Sequence, residues 1–259
     1  MTAGDVAIAR AVGEAACRRL AEIGALPDVP VRSGDGWTAV RSGCDSNDLN
    51  GVLVDRGRLP DPGLLAELGV WFGEAPATCH LADSDHRFPE VARTGGWQPE
   101  DSAFGAGRTL PLDVPAADAE IDIRRVSSAR GLDDWLDVAG ACGWFDDGDE
   151  RARRRAVAEA LPWPRWVAYR DDRPVGMTTG WRHRALAEIV DVAVVADARR
   201  RGIGRALVAT VAAWASASAR TIVAEPSPDG AALLTTLGFR TVPEIPDSAA
   251  YWTPAPDGP

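Results

Sequence analysis

"ADARRRGIGRAL" occupies residues 196–207. Three consecutive arginines, Arg199, Arg200 and Arg201, run into Gly202-Ile203-Gly204, and an apolar run follows. The preceding stretch, "LAEIVDVAVVAD" (186–197), is apolar enough at its centre to read as a strand buried on both faces. The following one, "GIGRALVATVAAWASA" (202–217), sets Ile203, Leu207, Val211 and Trp214 on one helical face. The segment is therefore strand, glycine-rich turn, helix. The first N–H groups of a helix lack partners, and the helix dipole places partial positive charge there, so such a turn binds phosphate readily. Gly202 and Gly204 let a backbone approach an anion, and Arg199, Arg200, Arg201 and Arg205 add charge. An arginine run can equally be a solvated basic turn.

Two common phosphate motifs do not fit. A P-loop requires G-x-x-x-x-G-K-[S/T], and no lysine follows here. A dinucleotide fingerprint requires glycine or alanine at position 207, where Leu207 stands.

The chain around this turn is acidic. Its 259 residues carry a formal charge of −10, which disfavours general nucleic-acid binding and suits a soluble protein. Hydrophobic content of 46% is ample for a core. Cys17, Cys44, Cys79 and Cys142 form no C-x-x-C pair and the three histidines are scattered, so no metal is expected. His80, Asp83, Asp85 and His86 lie close in sequence but match no standard ligand spacing. No run of about 18 apolar residues predicts a membrane span, and the N-terminus lacks the pattern of a secretory signal, so the expected location is the cytoplasm.

"LPLDVPAADAE" (110–120) reads as a linker, dividing the chain into an N-terminal α/β domain, 1–114, and a C-terminal domain, 120–259. The first half opens with a helix over roughly 4–24. It continues with strands in "WTAVRSG", "NGVLVDRG" and "ATCHLAD", and with a short helix capped by Asp61 with Pro62 at its first position. The second half reads β-α-α-β-β-β-α-β-α-β, including a hairpin that turns at Asp171, Asp172, Arg173 and Pro174. The fold class is a mixed α/β sheet protein.

Arg199-Arg-Arg-Gly202-Ile-Gly204 fits Q/R-x-x-G-x-G/A, and in this it resembles the coenzyme A signature of the GNAT acetyltransferase superfamily. The strand before it, the helix after it and "LLTTLGF" (233–239), ending in Gly238-Phe239, also stand where that family places them. The resemblance covers roughly residues 120–255; by element order the first half resembles the degenerate GNAT-like domain of two-domain members. It implies the GNAT acyl-CoA transferase fold, with acetyl-CoA or another acyl-CoA as co-substrate and a small-molecule amine as acceptor. Backbone N–H groups from Arg200 to Arg205 would hold the pyrophosphate. The main chain of Val192, Ala193 and Val194 would line the pantetheine arm, where the strand splays from "TIVAEPS" (221–227).

Glu188 is the candidate base. It precedes Arg199 by eleven residues in a segment similar to the "AEI" segment of the histone-acetyltransferase branch, and a carboxylate on an apolar strand suits a base near neutrality. The alternative is an exposed strand-end glutamate or an ion pair to Arg182 or Arg184. Asp191 is the rival base, on the opposite face if the strand is regular and not if a β-bulge intervenes. Many members of the family carry a tyrosine acid four residues before Gly-Phe; here Leu234 stands there. Ser227, at the place of a common asparagine, and Tyr251 are candidate proton donors. Of the tryptophans, Trp135, Trp144, Trp163, Trp166 and Trp181 are expected mostly in the core, with one or two walling an acceptor pocket. Two alternatives remain open: an acyl-CoA-binding regulatory protein without chemistry, and a transferase that uses an acyl carrier protein as donor or a hydroxyl as acceptor.

Overall fold

The structure, a computed structural model, describes residues 2–99, 104–112, 121–243 and 248–254. In chain order the elements are helix α1 (Ala3–Gly24), strands β1 (Val31–Gly34), β2 (Trp37–Arg41) and β3 (Asn50–Val54), α2 (Pro62–Phe72), β4 (Ala77–Leu81), α3 (Phe88–Thr94), β5 (Gln98–Pro99) and β6 (Phe104–Thr109). They continue as β7 (Asp122–Arg125), α4 (Ala129–Ala141), α5 (Gly148–Ala160), β8 (Arg165–Arg170), β9 (Arg173–His183), β10 (Leu186–Val194), α6 (Ile203–Ala215), β11 (Thr221–Ala224), α7 (Pro228–Thr236), β12 (Arg240–Pro243) and β13 (Ala249–Trp252). The second half follows the order expected from its sequence, except that two strands, β12 and β13, end it where one was expected, and Asp61 caps α2 by accepting from the Gly63 N–H at 2.7 Å. The hairpin turns at Asp171 and Asp172, both at positive φ.

Two compact units form. One comprises 1–12 and 104–242, the other 13–103 and 243–259. The expected linker boundary between 114 and 120 lies outside the described residues. The chain is interleaved on both sides of it: β6 pairs antiparallel with β11 in the larger unit, and β13 pairs antiparallel with β4 in the smaller one.

In the smaller unit the strand order is β1-β2-β3-β4-β13-β5. Leu65, Leu68 and Phe72 of α2 and Phe88 of α3 pack on Val52, Val54, Cys79 and Ala250. The Trp97 indole donates to the Leu65 carbonyl at 2.8 Å, which satisfies its buried N–H.

In the larger unit the order is β12-β6-β11-β10-β9-β8-β7. One face of this sheet lies under α6: Ala187, Ile189 and Trp166 pack with Val208, Val211 and Ala212. Two glycines on β9 permit that approach. A Cβ on Gly176 would lie 2.9 Å from Ile203 Cγ2, and one on Gly180 would lie 3.0 Å from Trp214 Cζ3. The other face carries Val167, Met177 and Ala193 against Leu132, Trp135, Leu136 and Ala139 of α4.

Candidate coenzyme and acceptor site

Strand β10 organises the site. It pairs antiparallel with β9 over its length, but parallel with β11 only from Leu186↔Thr221 to Ile189↔Ala224. Beyond Ile189, β10 runs on to Val194 while β11 ends at Ala224, so the two strands part. The segment with Val192, Ala193 and Val194 borders this parting.

The parting leads to the arginine-glycine turn. A short 3-10 turn, Ala196–Ala198, is followed by Arg200 at φ 63° and Gly202 at φ 81°. These left-handed residues turn the chain into α6, whose N-cap, Gly202, supplies no side-chain hydrogen bond. Ala206 N–H bonds the Gly202 carbonyl at 3.0 Å, so the N–H groups of Ile203, Gly204 and Arg205 precede the first helical bond. The glycines differ in purpose. A Cβ on Gly202 would meet nothing within 4 Å, so its glycine serves the positive φ; a Cβ on Gly204 would lie 3.1 Å from Leu233 Cδ2, so its absence also serves packing against α7.

The arginines divide too. Arg199 folds back, its Nε donating to the Val194 carbonyl at 3.0 Å. Arg200, Arg201 and Arg205 are exposed, with no ion pair among the described residues. Asp197 is engaged by Arg173 at 2.5 Å, and that hydrogen bond holds its carboxyl below the usual range. The Cys142 thiol is pushed up by burial, against the opposing influence of Arg199.

The two candidate bases share one face. The register of β9 and β10 shifts between Ile189 and Asp191: Glu188 pairs with Trp181, Ile189 with Gly180, and Asp191 with Thr179. Val190 is thus the extra residue of a β-bulge. Directly opposed residues lie on the same face, and Trp181 and Thr179, two apart on β9, also share one. The bulge therefore carries Asp191 to the side of Glu188, which corrects the opposite placement expected of a regular strand. Glu188 is 1% exposed, which removes the exposed strand-end alternative. Arg182 lies on the other face, its guanidinium 4.6 Å from the Trp214 ring centroid.

The candidate proton donors lie on other elements. Ser227 caps α7, its hydroxyl accepting from the Gly230 N–H at 3.3 Å. Leu234 is buried among Ala106, Val208 and Leu237, so core packing occupies the place of the family's tyrosine. Tyr251 lies on β13 opposite Thr78, in the smaller unit. Trp166 faces α6, 5.9 Å from Trp214, and does not line the Glu188 face.

That face also holds residues without a motif of their own. Arg165 of β8 pairs with Thr179 of β9, so Arg165, Thr179 and Asp191 stand abreast on three adjacent strands. Arg165 Nη1 donates to the Trp163 carbonyl at 3.0 Å, and its guanidinium lies 5.7 Å from the Trp135 ring centroid. Burial lowers the Arg165 pKa, and the Asp191 charge opposes that fall. Arg165 escaped notice in the sequence because one arginine in an apolar strand has no spacing to single it out.

Residues 131–239 match the model of the acetyltransferase (GNAT) family. No curated protein matches the chain. Among solved structures, a GCN5-related N-acetyltransferase from Kribbella flavida is similar over 92% of this chain and 93% of its own, with a TM-score of 0.64 and 17% identity. A GCN5-related N-acetyltransferase from Sphaerobacter thermophilus is similar over 98% and 93%, with a TM-score of 0.59 and 16% identity. A tandem GNAT protein from the clavulanic acid biosynthesis pathway is similar over 95% and 89%, with a TM-score of 0.53 and 15% identity. At such identities the likeness is one of fold, and it extends over most of the chain.

Proposed function

We propose that the protein is an acyl-CoA-dependent N-acyltransferase, most simply an acetyltransferase that modifies the amine of a small molecule. The observation that carries this reading is the parting of β10 from β11 next to the uncapped start of α6. A thioester arm fits beside the unpaired edge of a strand, and a pyrophosphate fits the N–H groups and exposed arginines of the turn.

In this reading the N–H groups between Arg200 and Arg205 hold the pyrophosphate, with Arg200, Arg201 and Arg205 balancing its charge. The main chain of Val192 to Val194 aligns the pantetheine arm, and a backbone N–H there polarises the thioester carbonyl. Glu188, or Asp191 beside it, accepts the proton of the attacking amine. The C–N bond forms at the carbonyl carbon, the C–S bond breaks, and the thiolate leaves. A thiolate whose conjugate acid has a pKa of about 8.5 leaves without a strong acid, so Leu234 in place of a tyrosine is compatible with turnover. A proton from water completes the free thiol.

The burial of Leu234 and the use of Ser227 as a helix cap favour a second reading, an acyl-CoA-binding regulatory protein without chemistry. Incubation with acetyl-CoA and a panel of amines, read by thiol release and by product mass, separates the two. Product formation supports the transferase; micromolar binding of acetyl-CoA without product from any acceptor supports the regulator. Absence of binding overturns both. If neutralising Arg200 and Arg201 leaves turnover intact, the donor is an acyl chain on a carrier protein, which presents the same arm without the adenosine pyrophosphate. The same panel extended to alcohols separates a hydroxyl acceptor.

A further inference from the structure

Four buried side-chain atoms of the described residues have no hydrogen-bond partner: Trp135 Nε1, Arg165 Nε, Thr179 Oγ1 and His183 Nε2. Thr179 and His183 of β9 alternate with Trp181 on one face, and Arg165 stands directly opposite Thr179. Trp135 reaches the same place from α4, its ring beside the Arg165 guanidinium. All four thus belong to the face that holds Glu188 and Asp191. Buried polar groups are ordinarily satisfied, and four orphans in one neighbourhood call for a cause.

Two of the four atoms, the indole and guanidinium nitrogens, only donate, and the threonine hydroxyl and the histidine nitrogen can each donate or accept. Arg165 and Thr179 are 8% and 1% exposed, so water does not reach them freely. Arg165 spends one donor on a backbone carbonyl, and no carboxylate among the described residues bonds its Nε. A buried guanidinium with unmade hydrogen bonds is costly, and an oxyanion that accepts from it removes that cost. Adjacent strands lie about 4.8 Å apart, which puts the backbones of Arg165 and Asp191 about 10 Å apart across β9. The side chains of an arginine and an aspartate shorten that span to the length of a small molecule with an anionic and a cationic end.

We propose that this face binds an acceptor carrying both an amine and a carboxylate, with the carboxylate held by Arg165, Thr179 and Trp135 and the amine directed to Glu188 and Asp191. The inference rests on the acyltransferase reading and adds the acceptor class to it: a small zwitterionic amino acid rather than a polyamine or a neutral amine. His183, stacked on Trp181 with ring centroids 6.2 Å apart, lies on the same face with its Nε2 unpaired.

The test uses the full-length protein with the twenty standard L-amino acids and their carboxamides as probes. Binding is read by calorimetry in the absence of acetyl-CoA, and turnover by thiol release in its presence. The expected result is saturable binding of at least one amino acid, with affinity or kcat/KM for its carboxamide lower by about 10–100-fold, the worth of hydrogen bonds to a charged group. Arg165→Gln should raise KM for the acid by a similar factor while the carboxamide and acetyl-CoA affinity change little. Thr179→Val, close in shape and uncharged, should weaken the acid by about 10-fold even if Arg165→Gln fails to fold. Equal use of acid and carboxamide, or equal loss on both in Arg165→Gln, overturns the inference and makes Arg165 a positioning residue for Asp191. Turnover only with amines lacking a carboxylate also overturns it while leaving the acyltransferase reading intact. Absence of acetyl-CoA binding defeats that reading instead, and amino-acid binding measured without the donor still judges the acceptor site.

Discussion

Replacing Gly202 by alanine tests the coenzyme turn at its most constrained residue. Gly202 adopts φ 81°, and a Cβ there would meet nothing within 4 Å. The penalty is therefore conformational and not steric: a left-handed L-residue costs about 1–2 kcal/mol. The turn is exposed and α6 has no side-chain cap, so little holds the strained conformer in place, and the variant relaxes. The conformer with its N–H groups gathered then becomes the minor one, and apparent affinity falls by its population. For about 1–2 kcal/mol that is a factor of about 5–30 in Kd for coenzyme A. Calorimetric titration reads it directly. Pantetheine, which lacks the pyrophosphate, should lose nothing. Gly57→Ala provides the control, since Gly57 has the same kind of strain (φ 71°, open space) in the other unit. Unchanged coenzyme A affinity in Gly202→Ala, or an equal loss for pantetheine, would refute the assignment of the pyrophosphate to this turn.

Glu188→Gln retains the buried shape and removes the proton acceptor; turnover should fall by about 10²–10⁴-fold with coenzyme A affinity unmoved, and wild-type turnover would pass the role to Asp191. Gly180→Ala should destabilise the larger unit by about 1–3 kcal/mol in a urea titration, because its Cβ would stand 3.0 Å from Trp214 Cζ3 and 3.1 Å from Val211 Cγ1. Burial, aided by the Arg19 charge, pushes the His80 imidazole down to about 4, so it stays neutral in the fold while the unfolded chain takes up a proton below about 6.5. Stability of the smaller unit is then complete above that pH and declines as pH falls toward 4, by at most about 3 kcal/mol. His80→Gln should flatten the dependence of the urea midpoint over pH 4–7, and an unchanged slope would assign it to other groups.

Local pattern was enough to read much of this protein. The strand-turn-helix around Arg199 to Gly204, the Asp61 cap, the order of elements after residue 120 and the mixed α/β class all rest on interactions between near neighbours in the chain. Those signals survive in a linear string because capping, helical period and glycine conformation are set within a few residues. The acetyltransferase motif belongs to the same kind, since the proposed cradle consists of consecutive N–H groups.

Only the tertiary structure decided the rest. No local signal marks Val190 as a bulge, because a bulge is a mismatch between two strands and exists only once β9 is opposite β10. That single extra residue sets Asp191 beside Glu188 and leaves Arg165, on a third strand, in line with it. Pairing likewise sent β6 into the larger unit's sheet and β13, with Tyr251, into the smaller unit's. The strand pattern of a sequence states that a segment will pair, while the choice of partner depends on burial and register summed over distant segments. The composition suggested a pyrophosphate at residues 199–205; the unsatisfied donors around Arg165 became visible only when α4 and β8 to β10 closed over them.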